Sequence, residues 1–360
     1  MPYASIVVPA FNASRTLPAT LLSLRSQTFR DLEIVVVDDG STDDTAVIAS
    51  RAAEADPRIR LVRQGNRGLA GARNSGIHAA TGTVVGFCDA DDLWLPEKLA
   101  AHVEHLAQAP LVGLSYSGSA MIDDSGARIG HAQRPRLYGV TPAHVFKRNP
   151  VGNGSSPVMR RETLADIAWR PASEPKRDWV FDETFRQSED IECWLRLCLT
   201  TDWMIEGVPG LLTEYRISGG GLSANVEAQL ASWERMVTKL RPAAPDFFER
   251  HEAAARAYQL RYLARRAVSA GDGPVARDFL RRALAQSRRP LIEEPLKSTV
   301  TLLAAAATVA VWGPPRFPSC APRATPPVPD QPTGGDTPCP ASCILSTTPP
   351  PAASCASSSM

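Results

Sequence analysis

The sequence predicts an α/β fold: a mostly parallel central sheet flanked by helices, followed by a C-terminal helical extension. Two observations carry this. Short β-branched runs alternate with helix-period segments through the first hundred residues, and the strands among them are apolar on both faces. A third observation concerns function. Ligands of such sheets bind beyond the carboxyl ends of the strands, and aspartates cluster at two of these exits.

In chain order, residues 5–8 form a strand and residues 15–26 a helix, with Leu17, Leu21, Leu22 and Leu24 at helical spacing. Residues 32–37 form a second strand, 45–55 a helix, 59–62 a third strand, 68–81 a helix and 84–88 a fourth strand. After Pro96 the pattern loosens: a helix over 98–109, a weak strand–turn region around Asp123-Asp124-Ser125-Gly126, and a loop-rich stretch over 134–157. A helix follows over 185–199. Gly219-Gly220-Gly221 marks a hinge or domain end. Helices are expected over 227–240 and 247–286, the second broken at Gly271-Asp272-Gly273-Pro274. The apolar run 300–312 is too short to span a bilayer comfortably and is expected to be a buried or interfacial helix. From Gly313 the chain is rich in proline, serine and threonine, which predicts disorder. The expected domains are 1–222, divided into halves 1–95 and 96–222, then a helical extension (223–312) and a tail (313–360).

Composition excludes some classes. Hydrophobic residues make up 44% and charged residues 21% of 360, as in ordinary globular proteins. A net charge of +1 gives no electrostatic reason for a nucleic-acid partner. Cys88, Cys193 and Cys198 lie in apolar segments and read as reduced core residues. Cys320, Cys339, Cys343 and Cys355 fall in the tail without metal or disulfide spacing. The chain opens directly into a strand, with no secretory signal, so a cytoplasmic location is expected.

Four segments carry chemistry. At the second strand's exit stands Val37-Asp38-Asp39-Gly40-Ser41-Thr42-Asp43. A capped turn accounts for it, but two carboxylates at the end of a buried strand are costly unless a ligand satisfies them. At the fourth strand's exit, Cys88-Asp89-Ala90-Asp91-Asp92 has no lysine or arginine near in sequence. Repulsion among these carboxylates calls for a cation, and oxygen ligands suit Mg²⁺ or Mn²⁺; an acidic loop capping the next helix is the plainer reading. In Asn66-Arg67-Gly68-Leu69-Ala70-Gly71-Ala72-Arg73, glycines permit close backbone approach and Arg73 can face a diphosphate at a helix N-terminus. Glu189-Asp190 opens an otherwise amphipathic helix, either complementing its dipole or projecting into a cleft as a base.

Together these segments resemble the family 2 glycosyltransferases of the GT-A fold, over about residues 4–220. Ile6-Val7-Val8-Pro9-Ala10-Phe11-Asn12 is similar to the family's first strand and nucleotide-contacting loop, and Gln27-Thr28-Phe29 with Glu33 to the stretch leading into its second strand. The resemblance implies that Asp39, beside Asp38, contacts a uracil ring. Asn66, Gly68 and Arg73 then join the donor site. Asp89-Ala90-Asp91 corresponds to a DXD motif, with Asp91 a direct metal ligand and Asp89 a ribose or metal contact. The base is Asp190, with Glu189 the runner-up. Tyr215-Arg216 also matches, but Ser218 stands where many relatives have a histidine, so no histidine ligand is expected. The implied activity is inverting transfer from a nucleotide-diphosphate sugar, a UDP-sugar, to a glycan or lipid-linked acceptor in polysaccharide synthesis.

Other classes fit less well. A dehydrogenase lacks its G-x-G-x-x-G fingerprint, and a nucleotidyltransferase lacks a glycine-rich loop after the first strand. A haloacid-type phosphatase would want Gly-Thr where Asp92-Leu93 stands. An inactive nucleotide-sugar-binding module remains, although it has no need of a base.

The span 258–289 carries Arg261, Arg265, Arg266, Arg277, Arg281, Arg282, Arg288 and Arg289, with Arg256 just before it, against Asp272 and Asp278. Leu260, Leu263, Val268, Phe279, Leu280 and Leu284 form an apolar stripe there. The stripe either packs internally or docks on an anionic membrane surface.

The tail has too little apolar surface to offset its chain entropy. A chain ending near Pro314 is therefore expected to keep its melting temperature and activity. A fall of several degrees in a thermal melt would show that the tail packs on the rest.

Overall fold

The computed structural model describes residues 1–217 and 226–312, with side chains to residue 308. Ser218, the Gly219-Gly220-Gly221 hinge and the tail from 313 with its four cysteines lie outside the described residues. Met1–Pro314 forms one compact unit.

Strands β1 (Ala4–Ala10), β2 (Leu32–Asp39), β3 (Ile59–Gln64) and β4 (Val84–Phe87) run parallel, joined by helices α1 (Leu17–Arg25), α2 (Thr45–Ala55) and α3 (Gly68–Ala79). Then come β5 (Leu93–Trp94), α4 (Lys98–Gln108), β6 (Val112–Ile122), β7 (Arg128–Gln133), α5 (Pro142–Arg148), β8 (Val158–Arg160), α6 (Arg161–Asp166), α7 (Glu189–Thr200) and β9 (Met204–Arg216). Strand order is β3-β2-β1-β4-β8-β6-β9-β5, with β7 pairing to β6. The second half of the sheet turns mixed: β8 lies antiparallel to both β4 and β6, while β6 and β9 are parallel.

Alternation along the buried strands splits the core between two faces. Ile6, Val8, Ile34 and Val36 pack with Leu17, Leu21 and Leu99 on one side. Val7, Val85 and Phe87 pack with Trp194 and Leu197 on the other. Register sets Ala10 beside Asp38 and Asp39 beside Gln64, so the strand exits open at one edge.

The extension comprises α8 (Val226–Leu240), α9 (Pro245–Ser269), α10 (Gly273–Gln286), α11 (Arg289–Glu293) and α12 (Pro295–Trp312). Trp233, Met236, Val237 and Phe248 enter the same core as Val7 and Phe87. Phe146 stacks on Trp233 with ring centroids 5.5 Å apart. Leu260, Leu263, Phe279 and Leu280 are buried together with Ala305, so the arginine-flanked stripe packs inward and only Leu284 of its leucines stays exposed. No helix among the described residues is long and apolar enough to cross a membrane.

Several boundaries differ from the sequence reading. The helix expected from 185 starts at Glu189, because Ser188 adopts a left-handed φ of 62°. The loop-rich stretch contains α5, begun by Thr141, whose hydroxyl accepts from the His144 N–H. The last apolar run belongs to α12, which starts earlier, at Pro295. Cys88 and Cys193 are buried, Cys198 is half-buried, and all three are free.

Gly76 marks the tightest seating of α3 on the sheet, since a Cβ there would lie 2.2 Å from Cγ1 of Val7. Helix propensity alone makes Gly→Ala stabilising by about 1 kcal/mol. Gly76→Ala is instead expected to destabilise by about 1–3 kcal/mol in denaturant unfolding, the scale of overpacking. A gain in stability would show that the contact is loose.

Candidate active site

The exits of β1 and β2 form one mouth. Pro9 and Ala10 are buried, Phe11 is exposed, and Asn12 takes a φ of 50° while its Oδ1 accepts from the Thr42 N–H at 2.9 Å. Asp38 turns inward: Oδ1 accepts from the Ser41 N–H at 3.1 Å and Arg63 lies 3.5 Å from Oδ2. Its Oδ1 thus serves the turn. Asp39 accepts from Gln64 Nε2 at 2.7 Å and from the N–H groups of Arg67 and Gly68, both at 2.8 Å. It caps α3 and sets the direction of that helix's free N–H groups. Asn66 is exposed on the same rim.

Five residues beyond Gly68, α3 delivers Arg73 to the second mouth, at the exit of β4. Arg73 is 2% exposed. Its Nη2 donates to Asp89 Oδ1 at 2.9 Å and its Nη1 to Glu189 Oε1 at 2.8 Å, and the guanidinium lies over the Phe181 ring. Burial works against its charge, but Asp89, Glu189 and Asp190 outweigh burial and raise its pKa. One cation thus joins the Asp89-Ala90-Asp91 run to the Glu189-Asp190 pair.

The other carboxylates differ sharply. Asp92 is fully buried and accepts from Ser155 Oγ at 2.5 Å and the Arg216 N–H at 2.8 Å; burial, then Asp91 and Asp89, push its pKa well up. The Asp91 carboxylate makes no hydrogen bond among the described residues, and burial with Asp89 alongside raises its pKa to about 6. Among the described residues Asp190 accepts only the adjacent Ile191 N–H at 2.8 Å; burial and Glu189 raise it to about 7 against the pull of Arg73. The Tyr215 phenol is raised by burial and by Asp92, Asp89, Asp91 and Asp190, which places it in the field of all four.

Three contributors lacked a sequence signal. Gly154 lies so close that a Cβ would sit 2.0 Å from Arg73 Nη2. Ser155 braces Asp92 and accepts from the Asp89 N–H at 2.8 Å. Exposed Arg186 lies over Gly68, where a Cβ would meet its Nη1 at 2.3 Å. Behind the loop, fully buried Lys98 donates to the Ser156 carbonyl at 2.7 Å, and burial lowers its pKa to about 7.

Among the described residues no group of three or more His, Cys, Asp or Glu side chains is arranged to hold a metal. The unpartnered Asp91 with Asp89 nonetheless fits a divalent ion. Such ions take one or two protein carboxylates and complete their shell with phosphate oxygens and water.

Residues 5–167 match the family described as Glycosyl transferase family 2. One relative is the Escherichia coli UDP-Glc:alpha-D-GlcNAc-diphosphoundecaprenol beta-1,3-glucosyltransferase WfaP. It is 37% identical over 118 residues, 32% of this chain and 46% of its own. The chain spans less than half the length of the first relatives it matches, 42%, 27% and 33%. Among solved structures, Staphylococcus aureus TarS 1–349 in complex with UDP-GlcNAc has a TM-score of 0.55 at 18% identity, covering 86% of this chain and 91% of that one. A mannosyltransferase of Pyrobaculum calidifontis in complex with GDP-Man and Mn²⁺ has a TM-score of 0.50 at 22% identity, covering 86% and 87%. The fold is that of the GT-A glycosyltransferases.

Asp190 makes stability fall with pH. Its folded pKa of about 7 lies above the ordinary 3.8, so between those values the folded state keeps a proton that the unfolded chain has lost. Stability from this group therefore declines as pH rises from about 4 to about 7 and is level above. Asp190→Asn is expected to melt at a higher temperature than the parent at pH 8 and to show a shallower decline over that window. Equal melting temperatures at pH 8 would mean that Asp190 ionises freely.

Proposed function

We propose that the chain transfers a sugar from a nucleotide-diphosphate sugar, a UDP-sugar, to a glycan or lipid-linked acceptor, with inversion. The observation that carries this reading is the pair of under-satisfied carboxylates, Asp91 and Asp190, each near in sequence to a carboxylate, Asp89 or Glu189, that the Arg73 guanidinium holds. One suits the leaving group's cation, the other an incoming hydroxyl. The names of WfaP and of the TarS and Pyrobaculum complexes support a nucleotide-sugar donor, Mn²⁺ or Mg²⁺, and a lipid-diphosphate acceptor.

In the proposed reaction, Asp39 and the Pro9–Asn12 loop hold the nucleoside, and Asn66, Gly68 and Arg73 lie along the diphosphate. A divalent ion on Asp91 and Asp89, when bound, supplies positive charge to the departing diphosphate. Asp190 accepts the proton of the acceptor hydroxyl as its oxygen attacks the anomeric carbon from the face opposite the leaving group. Its raised pKa suits a base working near neutrality. Glu189 keeps Arg73 in place. We assign 1–222 to the transferase domain, 223–312 to the helical extension, and the chain's place of work to the cytoplasm at the inner membrane face.

Asp91→Ala is expected to abolish turnover and Mn²⁺-dependent donor binding, measured by nucleoside diphosphate release and calorimetry. Undiminished turnover would sink the assignment. Asp190→Asn should keep donor affinity while turnover falls about 10²–10⁴-fold. In the parent, turnover should rise with pH up to about 7 and then level. Failure of the intact chain to release nucleoside diphosphate from any nucleotide sugar with Mn²⁺ would favour the inactive binding module.

A further inference from the structure

The extension holds a feature that sugar transfer does not use. A cavity of about 470 Å³ opens between α9 and α12, lined by Arg148, Arg261, Arg265, Lys297, Leu296 and Val300 among others. That is the size of a small-molecule site.

Four cationic side chains face this cavity, and the neighbouring carboxylate, Glu294, is shared by three of them: Arg148, Arg261 and Lys297. Glu293, the next acid along, is engaged by Lys147 and the Tyr258 hydroxyl. Exposed Arg265 lies over the Tyr262 ring and has no carboxylate partner among the described residues. The crowding registers on the groups themselves. Arg261 is 6% exposed, and burial, with Arg148 and Arg265 beside it, lowers its pKa to about 10. Lys297 is lowered by burial and by Arg148, Arg261 and Arg265. Four cations with one carboxylate among them in a half-apolar cavity are the complement of a phosphate.

Beside the cations runs an apolar stripe. Leu296, Val300 and Leu303 are 77%, 57% and 65% exposed along one side of α12, while Ser298, Thr301 and Ala305 on the other side are buried. Ile292, 75% exposed, extends the stripe into α11. The sequence beyond Trp312 carries two arginines (Arg316, Arg323) and two aspartates (Asp330, Asp336), so it has no net negative charge to offer these cations. A ligand that fits both halves bears a phosphate and a hydrocarbon chain.

We infer that the Arg148–Arg261–Arg265–Lys297 cavity with the Leu296–Val300–Leu303 stripe of α12 binds the phosphate headgroup of an anionic membrane lipid, laying α12 on the bilayer surface. Charged heads then lie at headgroup level and the leucines just below it. The site goes beyond the proposed transfer reaction and does not depend on the identity of the donor. It also differs from the stripe on α9 and α10, which is buried apart from Leu284 and the half-buried Val268. Helix α5, which carries Arg148, packs on both α9 and α7, so the docking surface is tied to the helix that opens with Glu189-Asp190.

The test is co-sedimentation of the full chain with vesicles of pure phosphatidylcholine or of phosphatidylcholine with phosphatidylglycerol, at low and high salt, without donor. Binding is expected only with phosphatidylglycerol and should weaken with salt. Each basic residue near a membrane contributes about fivefold in binding. The double variant Arg265→Gln/Lys297→Gln should therefore bind about thirtyfold more weakly, and Leu303→Ser should lose binding while melting like the parent. No binding to phosphatidylglycerol vesicles, or binding that both variants leave unchanged, overturns the inference. So does stabilisation by inorganic phosphate without vesicle binding, which would mark a soluble-anion site. Nucleoside diphosphate release, assayed without vesicles, should be the same in the parent and all variants. Its loss in every protein would count against the transfer reaction and leave the lipid site standing.

Discussion

The guanidinium of Arg73 fixes the spacing on which the whole site depends. It is nearly sealed from solvent and reaches one carboxylate with each terminal nitrogen, Asp89 after β4 and Glu189 at the start of α7. Removing one partner of a buried pair typically costs about 3–5 kcal/mol, because the other charge is left uncompensated. The two halves of the fold are thereby held at one separation before any substrate arrives. Gly154 shows how closely the cation is packed, since no room remains for even a methyl group.

Around this satisfied centre stand groups that are deliberately left wanting. Among the described residues no other residue hydrogen-bonds the Asp91 carboxylate and Asp190 accepts only its neighbour's N–H, so burial and like charge push both toward the protonated form. Asp92, one residue from Asp91, shows the contrast: its two oxygens are bonded to Ser155 and Arg216, and it serves as framework. Position in sequence does not separate Asp91 from Asp92; hydrogen bonding does. The under-satisfied pair weakens the empty fold, and ligand binding would return that free energy.

The parallel half of the fold was legible because buried strands and amphipathic helices leave strong periodic patterns. The aspartates were legible because strand exits are where such sheets bind ligands. The support behind them was not. Ser155 meets Asp92 across 63 positions and Arg73 meets Glu189 across 116, and no local pattern encodes such pairings. Asp38 looked like half of a ligand pair, yet one of its oxygens accepts from the turn and the other faces Arg63. The start of α7 was placed early because Phe185 has the right spacing for a helix, while the left-handed Ser188 that stops it leaves no mark in hydrophobicity. Likewise the run 300–312 showed an apolar helix, but only the packing of Ala305 and Thr301 reveals which side faces out.

Trp233 and Met236 of α8 lie in the same core as Val7 and Phe87 of the central sheet. This makes the extension a poor candidate for exchange. Grafting another C-terminal segment after β9 would strip the inner face of the sheet of its cover, so the replacement would have to reproduce the stacking of Trp233 on Phe146 to yield a soluble protein. Over evolutionary time the catalytic half and its helical cover are therefore bound to change together, residue against residue, rather than by the shuffling of whole parts.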